Sequence, residues 1–255
     1  MTASQSAPHA VVTGAARGIG AAIARALAAD GFRLTLLGRQ RDTLQALAAE
    51  LPQAQIVLAD VSDAAQVADA FAQARAGFGP ITALVNNAGQ AHSAPFLKTD
   101  AALWQRMLAV NLSGTVHCTQ QALPDMLDAG WGRVVNVAST AAQRGYAYVT
   151  AYCAAKHGVL GLTRALALEV ATKGVTVNAV CPGYTDTDLL QDSVANIVAK
   201  TGRSQAQARA DLAAGNPQRR LVQPDEVADA VRWLCGASAG SVTGQAISVS
   251  GGEVM

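Results

Sequence analysis

The chain has 255 residues, a formal net charge of +1 and a composition that is 51% hydrophobic, enough to bury a sizeable α/β core. With near-neutral charge and no clustered basic stripe, nothing supports nucleic-acid binding, and no apolar run reaches membrane-spanning length. The four cysteines, Cys118, Cys153, Cys181 and Cys235, are widely spaced and form neither C-x-x-C nor a zinc pattern, so they read as reduced packing residues and no metal site is expected.

In chain order, residues 1–10 are polar and lack a charged-then-apolar leader, which points to the cytoplasm. Strand-like apolar runs follow at 10–13, 33–37, 55–59, 83–86, 133–138, 176–181 and 246–249, separated by Ala/Leu-rich helical stretches. Seven strands alternating with helices predict a single-domain, doubly wound parallel sheet of Rossmann type, flanked by helices, over 1–255. The longest break in the alternation is 186–216, where Asp, Thr, Gln, Arg and Ala replace strand signals; a surface helical hairpin fits it.

The first strand runs into Thr13-Gly14-Ala15-Ala16-Arg17-Gly18-Ile19-Gly20 and then the helical stretch 21–29. A strand, a glycine turn and a helix form the cradle on which a dinucleotide pyrophosphate rests, because backbone must approach phosphate closely. The spacing G-x-x-x-G-x-G departs from G-x-G-x-x-G, yet Gly14, Gly18 and Gly20 can still serve turn, phosphate approach and helix packing; a tight turn without ligand is the alternative. Where the second strand ends, Leu37-Gly38-Arg39 offers no carboxylate for a ribose 2′-hydroxyl. Arg39, with Arg17 in the glycine loop, has the planar multi-donor chemistry for a 2′-phosphate, so NADP(H) is the expected cofactor and NAD(H) the alternative. Solvated surface charge is the competing account of both arginines.

Further on, Tyr152-Cys153-Ala154-Ala155-Lys156 places a tyrosine and a lysine one helical turn apart on one face, with Ser139 thirteen residues before the tyrosine. A free tyrosine titrates near pH ~10, and a neighbouring ammonium favours its phenolate, making it a usable general acid/base. Taken alone, Y-x-x-x-K also fits a surface helix with a snorkelling lysine. His157 lies about 100° around the helix from Lys156, and His92 and His117 have no charged partner by spacing; structural or surface roles are expected, with His92 the one candidate for a substrate mouth.

Together, T-G-x-x-x-G-I-G, Asn86-Asn87-Ala88-Gly89, Asn111, Ser139 and Y-x-x-x-K resemble the short-chain dehydrogenase/reductase family in its single-domain form, in the family's order, from about residue 10 to 252. The resemblance implies a catalytic tetrad of Asn111, Ser139, Tyr152 and Lys156. In it serine orients the carbonyl, tyrosine passes the proton, lysine holds the nicotinamide ribose and lowers the tyrosine pKa, and asparagine supports a water chain. It implies cofactor contacts at Gly14, Arg17, Gly18, Ile19, Gly20, Arg39, Asn87, Ala88, Gly89, Pro182, Gly183, Thr185 and Thr187, with Asp60 and Val61 beside the adenine. Residues 186–216 would be a flap over the substrate, and substrate identity would be set there and around 91–96.

Arg133 and Lys173 resemble the basic pair that docks acyl carrier protein in the family's 3-oxoacyl reductases, with lysine in place of arginine; capping of surface elements is the alternative. The expected activity is ketone–alcohol interconversion, foremost reduction of a 3-oxoacyl thioester carried on CoA or acyl carrier protein. A secondary-alcohol, polyol or steroid dehydrogenase and a non-catalytic cofactor-binding regulator are the alternatives. The family is commonly tetrameric, and a homotetramer is expected here.

Overall fold

The computed structural model describes residues 7–255, with the side chains of Leu189 and Asp192 set aside; the first six residues of the polar N-terminal stretch lie outside the described residues. Seven strands, β1 (His9–Thr13), β2 (Arg33–Gly38), β3 (Ala54–Leu58), β4 (Ala83–Asn86), β5 (Gly132–Val137), β6 (Val175–Pro182) and β7 (Ala246–Val249), form one parallel sheet in the order β3-β2-β1-β4-β5-β6-β7. Every predicted strand is present, with ends shifted by one residue at most.

The strands read as continuous apolar runs because both faces are covered. Alternate residues of β1 and β4 serve opposite faces. Ala10, Val12, Ala83 and Val85 pack with Ile23 and Leu27 of α1 (Gly18–Ala29) and Val227, Val231 and Leu234 of α9 (Pro224–Cys235). Val11 and Leu84 pack on the other side with Phe71 of α3 (Ala64–Phe78) and with Cys118, Ala122 and Met126 of α5 (Gly114–Ala129). Strand order reverses between β1 and β4, which opens a crevice at their carboxyl ends, the place where open α/β sheets bind ligands.

His9 opens β1 and is fully buried. Nδ1 lies 2.9 Å from the Gly79 carbonyl and Nε2 2.8 Å from Thr35 Oγ1, and burial lowers its pKa, so it is a neutral structural residue. Among the cysteines, Cys118, Cys181 and Cys235 are buried, whereas Cys153 is only partly so. The 186–216 stretch is a helical hairpin, α7 (Asp188–Thr201) and α8 (Gln205–Ala214), held by Leu190, Val194, Ala208 and Leu221. Among the described residues no helix is long and apolar enough to cross a membrane.

Arg133 corrects the docking expectation. It is 4% exposed, donates to the carbonyls of Gly132, Gly174 and Gly236, and lies 4.5 Å over the Trp131 ring. A guanidinium sequestered among carbonyls cannot present charge to a carrier protein, while Lys173 stays exposed, so the pair is not a shared docking patch.

Candidate active site

The glycine loop joins β1 to α1 with Gly14 at φ +63 and Gly18 at φ +53, conformations that favour glycine. A Cβ on Gly20 would lie 2.2 Å from the Gly14 carbonyl oxygen, so the helix can leave the strand this tightly only without a side chain. No side chain caps α1, and no acidic residue occupies its first turn. Its uncapped first-turn N–H groups, at the positive end of the helix dipole, fit the pyrophosphate of a dinucleotide.

Asn87 braces this loop. Its Nδ2 donates to the carbonyls of Thr13 and Gly14 at 3.0 and 3.1 Å, and Thr13 Oγ1 accepts from the N–H groups of Asn87 and Ala88. Thr13, not singled out from sequence, is thus the hub that ties β4 to the loop; a buried threonine ending a strand gives no signal beyond β propensity. Thr187 reaches the loop from the far side, since a Cβ on Gly18 would lie 3.1 Å from its Cγ2. Thr185 is buried and donates to the Gly183 carbonyl at 3.0 Å.

At the end of β2, Arg39 lies 3.5 Å from Asp60, and Arg17 lies 3.5 Å from Asp188. Asp60 accepts from Ser62 Oγ at 2.6 Å and from its N–H at 2.9 Å, and these bonds with Arg39 hold its carboxyl below the usual range. Val61, next to Asp60, packs its side chain in the core against Gly114.

The four tetrad positions come from three elements. Ser139 follows β5 in extended backbone and its Oγ accepts from Ala141 N at 3.0 Å, which leaves the hydroxyl proton for another acceptor. Tyr152 and Lys156 lie on α6 (Thr150–Val170), with Lys156 Nζ 5.8 Å from the Tyr152 ring centroid and donating to the Val137 carbonyl at 2.8 Å. Asn111 sits in a π-helical turn, Ala109–Ser113, between α4 (Ala101–Leu108) and α5. That wide turn aims Asn111 inward, where Nδ2 donates to Gln90 and Met107 carbonyls and Oδ1 accepts from Gln90 N. Asn111 and Lys156 meet at Gly89, whose Cβ would lie 2.9 Å from Asn111 Oδ1 and 3.7 Å from Lys156 Nζ.

The electrostatics differ from the sequence expectation. Burial pushes Tyr152 up to about 12, opposed by its hydrogen bond with Ser139, and pulls Lys156 down to about 8. Desolvation is the largest influence on Tyr152 and holds it protonated at neutral pH. His157 is exposed with Nδ1 near the Cys153 carbonyl, His117 Nδ1 lies 3.1 Å from the Val61 carbonyl, and His92 is exposed.

A family profile described as short chain dehydrogenase matches residues 8–197. The chain belongs to the short-chain dehydrogenase family. Among its curated relatives in this family are a D-beta-hydroxybutyrate dehydrogenase of Cupriavidus necator, 39% identical over 96% of this chain and 97% of that protein, and an acetoacetyl-CoA reductase of Rhizobium meliloti, 37% identical with the same coverage. A variant of actinorhodin polyketide ketoreductase, solved with NADPH, superposes with a TM-score of 0.94 at 37% identity, covering 99% of both chains. As a short-chain dehydrogenase the protein is an oxidoreductase acting on CH–OH groups.

Proposed function

We propose that the protein reduces a 3-oxoacyl thioester, or a similar β-ketone, with NADPH, and in reverse acts as a 3-hydroxyacyl dehydrogenase. The observation that carries this reading is the convergence of Ser139, Tyr152 and Lys156 where β5 meets α6, with Asn111 behind them. Bound reduced nicotinamide supplies the hydride. As negative charge grows on the carbonyl oxygen, Ser139 Oγ and Tyr152 Oη donate to it, stabilising the transition state more than the ground state. Tyr152, protonated at neutral pH, delivers its proton there, and the phenolate left behind faces Lys156, which with a pKa of about 8 is mostly ammonium at pH 7. Asn111, fixed by Gln90 and Met107, positions the lysine side of the site.

Gly14, Arg17, Gly18, Ile19 and Gly20 would hold the pyrophosphate, Asp60, Val61, Asn87, Ala88 and Gly89 the adenosine side, and Pro182, Gly183, Thr185 and Thr187 the nicotinamide side. Arg39, with no carboxylate on β2 beside it, favours the 2′-phosphate of NADP. Support also comes from the acetoacetyl-CoA reductase and the NADPH-bound ketoreductase among its likenesses. The α7–α8 hairpin would be the substrate flap of this one catalytic domain. On α6, Ala154, Gly161, Ala165 and Leu168 stay exposed, a face suited to pairing within a cytoplasmic homotetramer.

The test is nicotinamide absorbance loss with acetoacetyl-CoA and NADPH or NADH, beside simple ketones. Faster thioester turnover with NADPH is expected. Activity on free acids or simple ketones with NADH would instead favour the second reading, a secondary-alcohol dehydrogenase, which the relative named for hydroxybutyrate keeps in view.

A further inference from the structure

The tail beyond β7 returns to the active site. Gly251, at φ +61, packs so closely on Asn216 that a Cβ would lie 2.0 Å from its Oδ1, and Glu253 N bonds the Ser250 carbonyl. This fixes the Glu253 carboxylate between the loop that carries Tyr146, the turn after β6 and the end of α8. Its Oε1 accepts from Tyr146 Oη at 2.6 Å, its Oε2 lies 3.0 Å from where a Gly183 Cβ would be, and Gly215 at the end of α8 lies on its other side.

Tyr146 Oη is also 2.8 Å from Thr140 Oγ1. A phenol has one proton, and the carboxylate takes it in a charge-assisted bond, so the Thr140 hydroxyl donates to Tyr146. The relay therefore begins one residue from Ser139. The Tyr146 ring meets Tyr184 edge to face at 6.3 Å, and Tyr184 is close enough to Tyr152 to affect its titration. Arg144 lies 5.0 Å over the Tyr146 ring, but none of the ion pairs among the described residues includes Glu253.

We propose that Glu253 is a specificity-determining residue: anchored by Tyr146, it gives the substrate cleft an anionic, aromatic wall that rejects ketones bearing a carboxylate near the carbonyl and admits their neutral esters and thioesters. The inference rests on carbonyl reduction at Ser139 and Tyr152. In a cleft of reduced dielectric, like charges a few ångströms apart repel strongly enough to set substrate choice.

The test measures kcat/KM with NADPH on two acid–ester pairs, acetoacetate with ethyl acetoacetate and 4-oxocyclohexanecarboxylate with its methyl ester, for wild type and Glu253→Gln. Glutamine keeps an acceptor for Tyr146 and removes the charge. Wild type is expected to favour each ester it reduces over the matching acid by at least about tenfold. Glu253→Gln should raise the acid's kcat/KM about tenfold, mainly through KM, with the ester within about threefold. In wild type alone, added salt should lower KM for the acid and leave the ester unchanged. An ester-to-acid ratio unmoved by Glu253→Gln and by salt, or wild-type preference for the acid, overturns the proposal. Where only one pair is turned over the wall is judged on that pair, and turnover of neither ester would overturn it, whereas the 3-oxoacyl reading stands or falls with acetoacetyl-CoA.

Discussion

Lys156 Nζ donates to the Val137 carbonyl at 2.8 Å, tying α6 to the end of the strand that carries Ser139. This bond holds the lysine 5.8 Å from the Tyr152 ring and buries it to 5% exposure.

The burial has a measurable consequence in stability. Because Lys156 falls to about 8 on folding, the folded chain sheds this proton before the unfolded chain does. Between about pH 8 and pH 10 the unfolded state binds more protons, and stability rises with pH through this group. Urea unfolding of wild type and Lys156→Met should therefore diverge over that window, wild type gaining up to about 1.4 kcal/mol per pH unit, and run parallel below pH 7. Parallel curves throughout would show that Lys156 titrates normally.

Gly89 leaves no room for a side chain between Asn111 and Lys156. Gly89→Ala should displace Asn111 from Gln90, lower the melting temperature by an overpacking cost of about 1–3 kcal/mol, and reduce kcat. Unchanged kcat and stability would mean that Asn111 does not hold the lysine side of the site.

Arg39 is exposed and its only ion-pair partner among the described residues is Asp60 at 3.5 Å. Arg39→Asp should lower the NADPH-to-NADH ratio of kcat/KM by at least about tenfold, the scale of one charged hydrogen bond lost and a repulsion gained. An unchanged ratio would remove Arg39 from cofactor choice.

The strands were legible because a parallel sheet covered on both faces makes each strand a short, β-branched apolar run between turns, as in Val11-Val12 and Val134-Val135. The glycine loop and the i, i+4 pair of Tyr152 and Lys156 were legible because their spacing carries the geometry. What sequence missed depends on long-range packing. The π turn at Asn111 is one extra residue in a helical register, invisible to periodicity. Arg133 is buried among carbonyls that include the one of Gly236, 103 residues away, and Val61 packs against Gly114. Glu253 meets Tyr146 only because the chain's end returns to the sheet's carboxyl edge. The Tyr152 pKa was expected to fall, but burial, which has no sequence signature at one residue, raises it.

The central claim, that Tyr152 passes the proton in a ketone reduction, is tested most directly by Tyr152→Phe, measuring turnover of acetoacetyl-CoA and, by fluorescence titration, NADPH binding. The account predicts a loss of kcat of roughly 10³-fold with the NADPH Kd within a few-fold of wild type. Retained turnover would contradict it.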